Sequence, residues 1–198
     1  RMDRMALGAG LPPEWSKHAD SLLALAGDLH RHALVFFAHS LNWLYAIDPT
    51  WSERNLLSVL ESDDLADKGA FWDGFLWSAR VPDRPLYLRL KPHFLLLAKE
   101  RDVMSHGGRG VLAAILLAGW GTPREGTDAR CVSSDEFRDV LVHADDAFRS
   151  RVLWQVKTWS KEADKTHKDW EALSLELLRR VWPRQKSAKS PAISARDN

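Results

Sequence analysis

One cysteine, Cys131, in 198 residues excludes an internal disulfide framework, and with it any cysteine-based zinc finger or iron–sulfur site. Charge of one sign is missing as well. With 28 Lys and Arg against 27 Asp and Glu, a net charge of +1 removes the electrostatic case for a nucleic-acid or membrane-surface binder acting through the whole chain. The longest uncharged apolar stretches, Ala33 to Ile47 and Val111 to Trp120, fall short of the roughly 20 residues a membrane span requires. No charged leader with an apolar run behind it stands at the N-terminus, which points to a cytoplasmic chain. The opening on Arg1 and the uncapped close at Ser194-Ala195-Arg196-Asp197-Asn198 read as the edges of a section of a longer polypeptide. What the chain has in excess is tryptophan, ten against two tyrosines, within a 45% hydrophobic composition.

Hydrophobic periodicity is helical nearly throughout, and no alternating, β-branched stretch of strand length competes with it. Pro12-Pro13 opens a pattern from Trp15 to Gly27 that resumes at Leu29 and continues to Ile47, as one long helix or two with a kink. Asp48-Pro49 forms an N-cap with proline at the first helical position, and Ser62, Asp63 or Asp64 caps the next helix. Leu86, Leu90, Phe94 and Leu97 mark a helix that Pro92 is expected to kink or divide. The uncharged run Val111 to Trp120 is expected to be covered on nearly all sides, and Gly121 to Ser133 to form the longest connection. Ser133 with Glu136 makes a capping box ahead of Phe137, Val140 and Leu141. Phe148, Val152, Val156 and Trp159 mark a further helix, and Trp170, Leu173, Leu177, Leu178 and Val181 the last.

About eight helices with short connections imply an all-α fold, either stacked antiparallel hairpins of the HEAT-like solenoid type or an irregular bundle. Ala70-Phe71 with Leu76-Trp77 recurs 77 residues later as Ala147-Phe148 with Leu153-Trp154, close to two repeats of roughly 40 residues each. This echo favours stacked hairpins. The expected organisation is one helical domain over 1–182 and a basic, Ser- and Pro-containing tail over 183–198.

Chemistry-bearing residues are few. His30 and His32 are two apart and diverge on a helix, while His32 and His39 share a face two turns apart, too far to grip one ion unaided. His39 and Asn42 stand out as polar groups in an apolar helix that need partners. His143, Asp145 and Asp146 offer an acid beside an imidazole, and with His39 they are the acid–base or metal candidates of a His/Asp-dependent hydrolase, although helix capping explains the acidic pair more cheaply. Asp63, Asp64 and Asp67 suit a first helical turn, and Gly8-Ala9-Gly10 lacks the preceding strand of a nucleotide-binding turn. His106-Gly107-Gly108 with Arg109 could present amides and a cation to an anion. Trp72, Trp154, Trp159 and Trp170 fall near core stripes and read as helix–helix packing. These patterns imply no cofactor, no metal and no assigned catalytic residue.

The distribution of charge says more than its sum. Residues 1–148 carry 16 basic and 21 acidic side chains, and residues 149–191 carry 11 and 5. Arg179, Arg180, Arg184, Lys186 and Lys189 form an acid-free cluster suited to an acidic protein surface or to nucleic-acid phosphates. The run Leu177-Leu178-Arg179-Arg180-Val181-Trp182-Pro183-Arg184-Gln185, followed by Ser190-Pro191-Ala192-Ile193-Ser194, resembles a helical region of unassigned function. That region lies C-terminal to the sirtuin-like domain in large bacterial phage-defence proteins. The resemblance implies a sensing, scaffolding or assembly role beside an NAD-consuming domain, with a protein partner or flanking domain to contact. It carries over no catalytic residue, since the nucleotide-binding domain is not in this chain.

Overall fold

The computed structural model describes residues 6–100, 106–121, 130–161 and 170–184. All regular structure among them is helical: ten α-helices, a 3₁₀ turn and a π turn, with no strand. The chain divides into two compact units, residues 1–89 with 104–111, and residues 90–103 with 112–198.

In the first unit α1 (Pro13–Leu23) and α2 (Asp28–His39) are separate helices. Gly27 adopts φ 60° at the break, a left-handed conformation that glycine reaches at no steric cost and that a helix interior cannot hold. α3 (Leu41–Ile47), α4 (Pro49–Asn55), a 3₁₀ turn (Leu57–Glu61) and α5 (Leu65–Trp77) follow. Asp48 performs two tasks. One carboxylate oxygen accepts the Trp51 N–H at 2.9 Å and caps α4, while the other accepts the Leu11 N–H at 3.1 Å. The segment before α1 is thereby held over the end of α3, where Gly8 and Gly10 donate their N–H groups to the carbonyls of Ala46 and Ile47. Asp64 caps α5 through the N–H groups of Ala66 and Asp67, and the Asp67 and Ala66 amides hold its carboxyl below the usual range.

The core of this unit is aromatic. Trp15, Phe37 and Trp51 meet edge to face at 5.6–6.0 Å, and the Trp51 indole N–H donates to Asp20 at 2.8 Å. The main packing partner of α2 is α5. Their backbones nearly touch at Gly74, where a Cβ would overlap the Val35 carbonyl oxygen and lie 2.8 Å from its carbon. Beside this point Arg31 on α2 donates to Asp67 on α5 at 3.1 Å and to Asp28 at 3.0 Å.

α6 (Arg84–Leu97) and α7 (His106–Gly121) begin in the first unit and continue into the second. α6 is one helix with Pro92 inside it, so of the expected kink or division, the division does not occur. An interior proline costs about 3 kcal/mol. Leu86, Leu90, Phe94 and Leu97 are all buried, at about 1.5–3 kcal/mol each, which outweighs it. In the second unit α8 (Ser134–His143) starts at the Ser133–Glu136 capping box. α9 (Asp146–Lys161), α10 (Trp170–Glu176) and a π turn (Leu177–Val181) follow. Arg130 binds Glu176 through two hydrogen bonds of 2.9 and 2.7 Å and lies 4.9 Å over the Trp120 ring. The Trp120 N–H in turn donates to Ser134 at 3.0 Å. Of the expected connection 121–133, residues 122–129 lie outside the described residues.

Trp51, Trp72, Trp120 and Trp159 are buried. Trp154, expected in the core, is instead 57% exposed, because it stands six residues after buried Phe148, off the stripe that Val152 and Trp159 continue. The echo of Phe71 and Trp77 is matched in environment, buried then exposed, whereas Leu76 is buried and Leu153 is not. Leu178 is likewise exposed rather than core, and the Trp170 side chain lies outside the described residues.

Gly74→Ala is expected to destabilise the protein by about 1–3 kcal/mol in urea unfolding, since overlap with a backbone carbonyl outweighs the gain in helix propensity of about 1 kcal/mol. Arg130 holds the Glu176 carboxyl below its ordinary value. That stabilisation is therefore present above the ordinary carboxylate range and is lost as pH falls through the lowered folded value. Glu176→Gln is expected to lower stability at pH ~7 by about 1–2 kcal/mol, with the two unfolding curves converging below pH ~4.

Candidate functional site

The acid–base candidates resolve into helix termini. Asp145 accepts the Phe148 N–H at 2.7 Å and caps α9. Asp146 accepts from Arg149, whose buried guanidinium also donates to the Leu141 and Ala144 carbonyls at 2.9 and 2.6 Å and closes the end of α8. The His143 ring reaches back one turn to the Asp139 carbonyl at 2.9 Å and its carboxylate at 3.2 Å. Lys99 holds that carboxylate below its ordinary range. His143 faces Asp139, so the sequence-adjacent dyad with Asp145 or Asp146 is not what the fold builds.

In the first unit, Gly8 and Gly10 have their amides on carbonyls, which leaves no glycine cradle for a phosphate. His30 lies between the Leu23 carbonyl at 2.7 Å and the Asp67 carboxylate at 3.5 Å. Among the described residues no group of three or more His, Cys, Asp and Glu side chains converges as a metal site. The side-chain oxygen of half-buried Asn42 and the fully buried hydroxyl of Ser52 have no hydrogen-bond partner among the described residues.

His39, expected to need a partner in its apolar helix, is exposed on α2, and its ring meets the Trp77 indole at 5.2 Å, tilted by 52°. Trp77 is 75% exposed and lines a cavity of about 390 Å³ with Val35, Asp73, Leu76, Gly107, Gly108 and Val111. The segment singled out as His106-Gly107-Gly108 thus opens α7 as helix, and its two glycines leave one wall of the cavity free of side chains. Arg109 is half-buried in the same first turn. Asp73 and Trp77 are four residues apart on α5, hence on one face. Sequence reading missed Asp73 altogether and met Trp77 only as part of the echo. Their i, i+4 spacing was visible, but their exposure was not.

Arg179, Arg180 and Arg184 are exposed on and after the π turn and make no ion pair with the described residues, while Arg138 donates to the Arg180 carbonyl at 3.3 Å. Lys186 and Lys189 lie outside the described residues. No helix among the described residues is long and apolar enough to cross a membrane. Comparison with known proteins finds no matching family model, curated protein or solved structure.

Proposed function

We propose that this chain is a non-enzymatic helical recognition module whose first unit docks a partner protein, or a flanking domain of the same polypeptide, at the Trp77 cavity. The observation that carries this reading is an indole three-quarters exposed at the mouth of a largely apolar cavity lined by Val35, Leu76 and Val111. Buried aromatic anchors dominate binding energy at protein interfaces, and an exposed tryptophan beside a pocket is where such an anchor forms. Of the polar residues that carried the catalytic alternative, Asp145 caps α9, Asp146 pairs with Arg149, His143 bonds Asp139 and His39 lies against Trp77. The resemblance of residues 177–194 to the helical region beside sirtuin-like domains supports a scaffold or sensor role in an NAD-consuming anti-phage protein.

A photocrosslinker at position 39, in the cells that make the protein, is expected to yield one defined adduct that is absent from position 154 and lost on Trp77→Ser. The purified adduct partner is expected to bind Trp77→Ser at least about tenfold more weakly than the parent protein. Adducts indifferent to Trp77, or none at all, would overturn the reading.

A second reading rests on a different observation. In the second unit Glu136, Asp139, Asp146 and Glu176 are paired with other bases, and Arg179, Arg180 and Arg184 are exposed without an ion pair to the described residues. This arrangement suits nucleic-acid phosphates. It predicts salt-sensitive retention of RNA or DNA, with the log–log salt slope falling by about one for each arginine replaced. Retention unchanged in the triple glutamine variant would discard it.

A further inference from the structure

The first unit uses its neighbouring carboxylates locally. Asp28 and Asp67 pair with Arg31, and Asp48 and Asp64 cap helices. Asp73 is the contrast: exposed, lining the cavity, and with no hydrogen bond or ion pair to the described residues. One helical turn further along α5 stands the exposed face of Trp77, whose indole His39 flanks on one side. Gly107 and Gly108, which carry no side chain, line the same cavity as the carboxylate and the indole.

These groups select their occupant by chemistry. An anion would meet the Asp73 charge, and a purely apolar side chain would strip water from that carboxylate without returning a hydrogen bond. A cation satisfies both the carboxylate and the negative face of the indole. Among cations, an ammonium is a compact and strongly hydrated point charge. A guanidinium is planar and weakly hydrated, stacks on aromatic rings and offers a carboxylate two parallel N–H groups. Asp73 and Trp77 sit about 5–6 Å apart at Cβ by helical spacing, a separation one guanidinium spans while stacking on the ring.

We propose that the Trp77 cavity is an arginine-binding subsite, in which a partner's arginine stacks on Trp77 and pairs with Asp73. This rests on the docking reading above and supplies the chemistry of the partner's anchor.

The indole N–H resonance of Trp77, assigned by its loss in Trp77→Phe, reports occupancy directly. N-acetyl-arginine methylamide is expected to shift it saturably, the citrulline counterpart to bind at least about tenfold more weakly, and Asp73→Asn to weaken arginine by a similar factor. Circular dichroism is expected to be unchanged by Asp73→Asn, because the side chain is exposed. Citrulline, lysine methylamide or tetramethylammonium binding as well as arginine would overturn the assignment, as would an Asp73→Asn protein that keeps full affinity. If arginine fails while the position-39 adduct remains dependent on Trp77, the arginine subsite falls and the docking reading stands. Arginine binding without any Trp77-dependent adduct would instead remove the partner.

Discussion

The first unit depends on one close approach, the α5 backbone against α2 at Gly74. No side chain can occupy that point, so the two helices meet backbone to backbone there. Everything that gives the unit a surface of interest follows from this contact. Asp73 and Trp77 lie one residue before and three after the glycine, and Val35 is the residue it touches. The Arg31–Asp67 pair spans the same two helices near the start of α5, so the register of α5 on α2 is set by sterics at one place and by charge at another.

Polar groups in both units follow a consistent division. Those near helix ends satisfy backbone donors and acceptors, as Asp48, Asp64, Ser133 and Arg149 do. Tryptophans that are buried with an N–H to satisfy find an oxygen, Asp20 for Trp51 and Ser134 for Trp120, which is the condition for placing an indole in a core. Among the described residues, the Asp73 carboxylate of the cavity and the arginines around the π turn stand exposed without such a partner.

Much of the architecture was legible in the sequence, and the reason is local. The Asp48-Pro49 start, the Ser133–Glu136 box and the apolar run of α7 each encode their structure within a few residues. Pro92 does not divide α6 because its local cost is overcome by burial along the rest of the helix, a sum that no short window contains. Trp154 misled because its type suggests burial while its phase on α9 does not. The dyad suggested by His143 and Asp145 failed for a related reason: adjacency in sequence is not adjacency on a helix, and the ring turned back to Asp139. The cavity was the least legible feature. It needs α2, α5 and the start of α7 together, and its room comes from Gly107 and Gly108, whose contribution is the side chain they lack.

The π turn at Leu177–Val181 closes through the Trp182 N–H and the Leu177 carbonyl, five residues apart, at 2.6 Å. Such a turn holds one residue more than an α-helical turn, and so rotates everything after it by about 100° relative to an uninterrupted helix. Leu177 and Val181 are both buried, with exposed Arg179 and Arg180 between them. The azimuth at which the chain departs past Trp182 is therefore set by this widened turn and not by α10. Excising Leu178 there would restore α-helical phase and re-aim Arg184 without deleting any charge.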